Sequence, residues 1–216
     1  AHVSAGQEAR RWQQRADLLT PLAKAFSTDV GVDVASLGLQ VHGGMGYIEE
    51  TGAAALYRDA RIAPIYEGTN GIQAIDLVTP KLPLGEGEHP QGYTVAMVAR
   101  AAPRRPPGGE GLGRTADILD ETLDELAEAT RFLQDLVATG RTEQALAGAT
   151  PYLRLMSLCA GGAYLARSAL ADASGGRTEL CCFYAENLLV EVPALKARVI
   201  SGAASLLTAG KALLSA

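Results

Sequence analysis

The chain has 216 residues and is 48% hydrophobic, enough to bury a core as one large domain or two small ones and too apolar for a disordered class. Its 24 acidic against 19 basic residues give a formal charge of -5, which argues against nucleic acid as a partner. Three cysteines, Cys159 and the adjacent Cys181 and Cys182, form neither a disulfide framework nor a metal-ligand spacing; they read as free thiols of a reducing, cytoplasmic compartment, with no metal site expected. No signal peptide opens the chain, and no run of about 18 uncharged apolar residues predicts a membrane span. An opening alanine in place of methionine reads as a processed or trimmed chain. The hydrophobes are chiefly alanine and leucine, with few β-branched or aromatic runs, so the expected fold class is all-α.

In chain order, residues 4 to 19 are rich in helix formers, with Trp12, Ala16 and Leu19 on one side. Thr20 and Pro21 read as the N-cap and first residue of a new helix. From there Leu22, Phe26, Val30, Val34, Leu37 and Val41 recur every three or four residues as one apolar stripe, with Asp29 and Asp33 solvated elsewhere. Gly43 and Gly44 end it, in the glycine-rich turn "HGGMGYI". A helix is expected from about Glu50 to Ala60, and a short one resumes near residue 70. Residues 83 to 113, with "APRRPPGGEGLG", read as a linker or loop. Beyond it Ile118, Thr122, Leu126, Ala129, Leu133 and Val137 line one helical face, stopped by Gly140. Another helix spans 151 to 173, where "LCAGGAYLA" allows close helix approach. A further one runs from about 177 to 192, and Pro193 starts or kinks the last, which ends near 214. The expected domains are 1–82, the linker 83–113, and a second helical domain over 114–216.

Two motifs bear on chemistry. "HGGMGY" is either a tight turn or a bend whose N–H groups approach a phosphate or flat ring; it lacks the dinucleotide fingerprint spacing. In "IYEGTNGIQ", Glu67 is either a helix-capping acid or a general base held in an apolar cavity that raises its pKa. Thr69 is equally able to contact a cofactor or cap the following helix. Local pattern leaves both pairs open.

The order of these pieces carries a resemblance. Residues 37 to 77, "LGLQVHGGMGYIEETGAAALYRDARIAPIYEGTNGIQAIDL", closely resemble the C-terminal helical domain of the acyl-CoA dehydrogenases. In that family a Gln-x-x-Gly-Gly-x-Gly-Tyr turn precedes a helix ending Arg-Asp, and a Tyr-Glu-Gly-Thr motif bears the catalytic base. The resemblance implies FAD as cofactor and α,β-dehydrogenation of an acyl-CoA to the trans-2-enoyl-CoA. Glu67 takes the α-proton, and the β-hydrogen passes as hydride to flavin N5. Tyr66 and Gly68 then lie beside the thioester. Thr69, Gln40, Gly43 and Gly44 contact FAD, the last three commonly that of a neighbouring subunit. Arg58 and Asp59 look structural.

The same resemblance marks departures. A typical member carries an N-terminal helical and a middle β-barrel domain, neither of which is in this sequence, so the chain alone is expected to be inactive. The implied partners are the remaining N-terminal part or a partner subunit, further copies in a dimer or tetramer, and electron-transfer flavoprotein as acceptor. Gly71 stands where many members have Glu or Gln. The extension over 114–216 resembles the additional helical domain of larger bacterial members, among them those acting on 3-methylmercaptopropionyl-CoA. A non-catalytic or regulatory subunit with the same fold is the alternative.

Overall fold

A computed structural model describes residues 6–82, 112–172 and 175–214, and all regular structure within them is helical. The expected 83–113 linker lies almost wholly outside the described residues. The first half holds α1 (Gly6–His42), the one-turn α2 (Gly44–Tyr47), a 3-10 turn (Glu49–Thr51), α3 (Ala53–Ala60) and α4 (Asn70–Asp76), which runs into a π turn (Leu77–Lys81). The second holds α5 (Arg114–Ala138), α6 (Thr142–Ala147), α7 (Ala149–Leu170), α8 (Gly176–Asn187), a 3-10 turn (Leu189–Glu191) and α9 (Val192–Leu214). No described helix is long and apolar enough to cross a membrane.

The break expected at Thr20–Pro21 does not occur: α1 runs through it with Pro21 inside. An interior proline costs about 3 kcal/mol in an isolated helix. Here Leu18 and Leu22 are buried on either side of it together with Ala25, so tertiary packing outweighs the local penalty. Arg15 pins the same stretch to α7. Its Nε donates to the Tyr164 hydroxyl at 3.1 Å, and its guanidinium lies 5.5 Å from the centroids of both Trp12 and Tyr164.

α7 is the axis of the molecule, packing against α1, α4, α5, α6, α8 and α9. Its small residues make this possible, as the "LCAGGAYLA" run suggested. A Cβ at Gly161 would stand 2.5 Å from the Tyr184 hydroxyl, and one at Gly162 would stand 2.9 Å from Leu119 Cδ2 and 3.1 Å from Leu189 Cδ1. Pro151 falls in the first turn, where no N–H is needed. Between α5 and α7 the buried Tyr152 and Thr130 hydroxyls meet at 2.8 Å. Thr130 also reaches Leu126 O at 2.7 Å, so the phenol is the donor of the shared bond.

The α5 face agrees with its expected positions: Thr122, Leu126, Ala129 and Leu133 are buried, with Ile118 and Val137 packed at the edge. One hydrophobic core then runs through both halves, joining Leu18, Leu22, Ala74, Leu77, Val78 and Leu82 to residues of α5, α7, α8 and α9. At the seam Gln134 Nε2 donates to Leu82 O at 3.0 Å.

The α1 stripe is the clearest correction. Leu22 is buried and Phe26 and Val30 are half-buried, but Val34, Leu37 and Val41 are 60%, 62% and 86% exposed. Asp29 is exposed, as expected, and also accepts from Asn70 Nδ2 at 2.7 Å.

Candidate functional site

The Tyr66–Thr69 motif occupies the loop between α3 and α4. After Ala60 the chain descends through tight turns, with Ile65 N and Tyr66 N both donating to Ile62 O, at 2.9 and 3.1 Å. Asn70 N then donates back to Pro64 O at 3.0 Å, closing a loop over Ile65 to Thr69. Within it Glu67 has φ 54°, making it the one non-glycine residue at positive φ among the described residues, and Gly68 follows at φ 84°. A side chain in this left-handed region costs about 1–2 kcal/mol, which α4's anchoring must offset.

The capping question is settled by Thr69. Its hydroxyl oxygen accepts from Ile72 N at 3.3 Å, making it the N-cap of α4. Glu67 is not the cap. Its carboxylate makes no hydrogen bond or ion pair among the described residues, and the residue is exposed. The described residues therefore do not build the enclosing apolar cavity that one of the two sequence readings placed around it. Tyr66 is 52% exposed beside it, and Gly68 is exposed too. Capping uses the Thr69 oxygen as acceptor and leaves its hydroxyl proton free to donate outward.

The second motif lies at the far end of α1. Gly43 N donates to Gln40 O at 3.0 Å, and Gly43 itself has φ 60°, which favours glycine. Gly46 is buried, and a Cβ there would collide with the Leu39 carbonyl oxygen and meet His42 Cβ at 2.9 Å. Gly44 is different: it is exposed, has ordinary φ, and a Cβ on it would meet nothing within 4 Å. Nothing among the described residues requires glycine there. Gln40 is exposed alongside.

The two motifs are not folded into one pocket. The Glu67 loop is tied to α1 at Lys24–Asp29, whereas the glycine turn follows His42. At 1.5 Å rise per residue these points lie about 20 Å apart along the helix. Arg58, exposed, pairs with Glu49 through two bonds of 2.9 and 2.8 Å, joining α3 to the preceding 3-10 turn. That pair draws the Glu49 carboxyl below its ordinary range. No cluster able to hold a metal occurs among the described residues. Sequence reasoning missed Asn70, whose side chain carries the tie to α1; its partners are 41 to 46 residues away, with no local signal.

Comparison with known proteins decides the family. Residues 2–79 match the model for "Acyl-CoA dehydrogenase, C-terminal domain", and residues 94–209 match "Acetyl-CoA dehydrogenase C-terminal like". The chain belongs to the acyl-CoA dehydrogenase family. It is 42% identical to 3-methylmercaptopropionyl-CoA dehydrogenase of Ruegeria pomeroyi, across 94% of this chain and 36% of that protein. It is also 36% identical over 86 residues to a butyryl-CoA dehydrogenase of Syntrophomonas wolfei, 14% of that protein's length. The fold is similar to that of Caenorhabditis elegans ACDH-11, solved in complex with C11-CoA. That match has a TM-score of 0.68 at 23% identity and covers 86% of this chain and 30% of the other. The matched region thus spans about a third of the length of the Ruegeria protein and of ACDH-11, and less of the Syntrophomonas protein.

Proposed function

We propose that this chain is the C-terminal portion of an FAD-dependent acyl-CoA dehydrogenase that converts an acyl-CoA to the trans-2-enoyl-CoA in the cytoplasm. Glu67 is the base that removes the α-proton of the thioester. The observation that carries this reading is the state of Glu67: it is held at a left-handed backbone position, exposed, and used neither for capping nor for pairing among the described residues. A carboxylate without a structural task, on a loop closed at both ends, is free to meet a substrate.

Gly68 is exposed, and without a side chain it keeps clear of Gln73 Nε2, which would stand 3.2 Å from a Cβ there; the thioester carbonyl lies on its solvent side, where the Glu67 N–H can donate to it. Tyr66 walls the acyl chain. Desolvation of the Glu67 carboxylate comes with closure of the site by the rest of the enzyme and raises its proton affinity toward that needed of a base. The residues present fit FAD as one wall of its site: Thr69 has a proton to donate, Gln40 is exposed, and a Cβ at Gly43 or Gly44 would meet nothing within 4 Å, so a flat ring or phosphate can approach there. When bound, the flavin supplies the acceptor for the β-hydrogen as hydride. The separation of the two motifs along α1 fits contacts to different cofactor molecules or to distant parts of one.

The remaining N-terminal part or a partner subunit completes the site, in a dimer or tetramer, with electron-transfer flavoprotein as acceptor. Domain limits of 1–82 and 114–216, joined by 83–113, belong to the same proposal. The test is the complete enzyme carrying Glu67→Gln, mixed anaerobically with a panel of acyl-CoAs. Flavin absorbance is expected to be retained and bleaching to slow by about 100- to 10,000-fold. Undiminished bleaching would sink the assignment.

A further inference from the structure

The geometry points to Asn70 as the positioning residue for Glu67, acting as an amide clamp that transfers the rigidity of α1 to the catalytic loop. This rests on the reading of Glu67 as base. Asn70 follows the Thr69 cap and lies three residues beyond Glu67. Its main-chain N–H closes the loop onto Pro64 O at 3.0 Å. Its side chain crosses to α1, where Nδ2 stands 3.1 Å from Ala25 O, 2.9 Å from Thr28 Oγ1 and 2.7 Å from Asp29 Oδ1. Lys24 Nζ donates to Oδ1 at 2.8 Å.

An ammonium on the amide oxygen and a carboxylate at the amide nitrogen polarise the group in the sense that strengthens both contacts. Asparagine suits the position because one short side chain must donate and accept at once. Alanine does neither, and aspartate would place like charges at 70 and 29. Because the Glu67 carboxylate has no anchor of its own among the described residues, its backbone sets its position. A left-handed conformation at a non-glycine residue persists only where its surroundings over-determine it. The Thr69 cap and the Asn70 clamp are those surroundings. Asn70 touches no substrate here; it acts through Glu67.

The experiment uses the complete flavin-loaded enzyme. Asn70→Ala is expected to lower kcat per bound flavin by about 10- to 100-fold, the scale of an ångström-sized misplacement of a reacting group, while KM changes little. Asn70→Asp should also lose turnover. Adding Asp29→Asn to it restores the 29–70 hydrogen bond with donor and acceptor exchanged, and part of the lost rate should return. A merely structural role would reduce flavin content and thermal stability but leave kcat per bound flavin unchanged, and that result overturns the clamp. So does a swap that recovers nothing. Glu67→Gln measured in parallel separates the two claims. If it is inactive while Asn70→Ala turns over normally, only the clamp falls; if it is fully active, the base assignment falls with it.

Discussion

Gly46 and Gly162 look alike in sequence, each inside a glycine cluster, yet different atoms hold them. A methyl group at Gly46 meets the backbone carbonyl of Leu39 near the end of α1, which cannot turn away; at Gly162 it meets the ends of two leucine side chains, which can. Gly46→Ala is therefore expected to cost about 1–3 kcal/mol and Gly162→Ala less, a ranking that thermal unfolding checks. Cys159 gives a pH prediction. Burial raises its thiol from 9.0 to about 12, partly opposed by its contact with Thr122, so the folded chain holds a proton that the unfolded chain releases. Stability is full below pH 9.0 and falls as pH climbs from there toward about 12, because over that window the unfolded state binds fewer protons. Cys159→Ser should flatten this alkaline slope in denaturant titrations at stepped pH. Glu67 belongs to this scale as well. Its type and neighbours were legible in the sequence; the decision between cap and free carboxylate was not, because it turned on which oxygen Ile72 N–H reaches.

Among elements, α5 was read well and α1 only in part. The α5 face repeats at helical spacing, and the chain itself supplies helices on that side, so periodicity and burial coincide. For α1 the periodicity was equally regular, but the described residues leave Val34, Leu37 and Val41 uncovered. A pattern announces that a face will be buried without saying by what. Pro21 misled for a related reason: proline signals a helix start locally, and only the packing of Leu18, Leu22 and Ala25 overrules it. The short α6 carried no separate signal. Tyr152→Phe tests the α5–α7 contact. Because Thr130 keeps Leu126 O as its acceptor, the loss leaves no orphaned donor and should cost about 1 kcal/mol in urea unfolding.

At the scale of the molecule, many exposed apolar side chains fall between residues 34 and 72, namely Val34, Leu37, Val41, Met45, Tyr47, Leu56, Ile62, Ile65, Tyr66 and Ile72, with others such as Leu180, Phe183 and Leu206 in the second half. Soluble monomers rarely leave so much apolar surface open, and the first group adjoins both motifs. The chain expressed by itself should self-associate. Val34→Lys with Leu37→Lys should weaken that association in sedimentation velocity while changing unfolding stability by no more than about 0.5 kcal/mol per exposed site.

The sequence by itself determined the helical class, most helix limits in the second half, and the family through the order of its glycine turn, Arg-Asp helix end and Tyr-Glu-Gly-Thr loop. These are local in the chain, set by side-chain spacing and backbone freedom, and so can be read along it. Tertiary structure decided that α1 is continuous, that Thr69 and not Glu67 caps α4, and that Asn70 ties the loop to a helix more than forty residues earlier. Those outcomes depend on which distant atoms meet, and a hydrogen bond across the fold leaves no spacing in the sequence to reveal it.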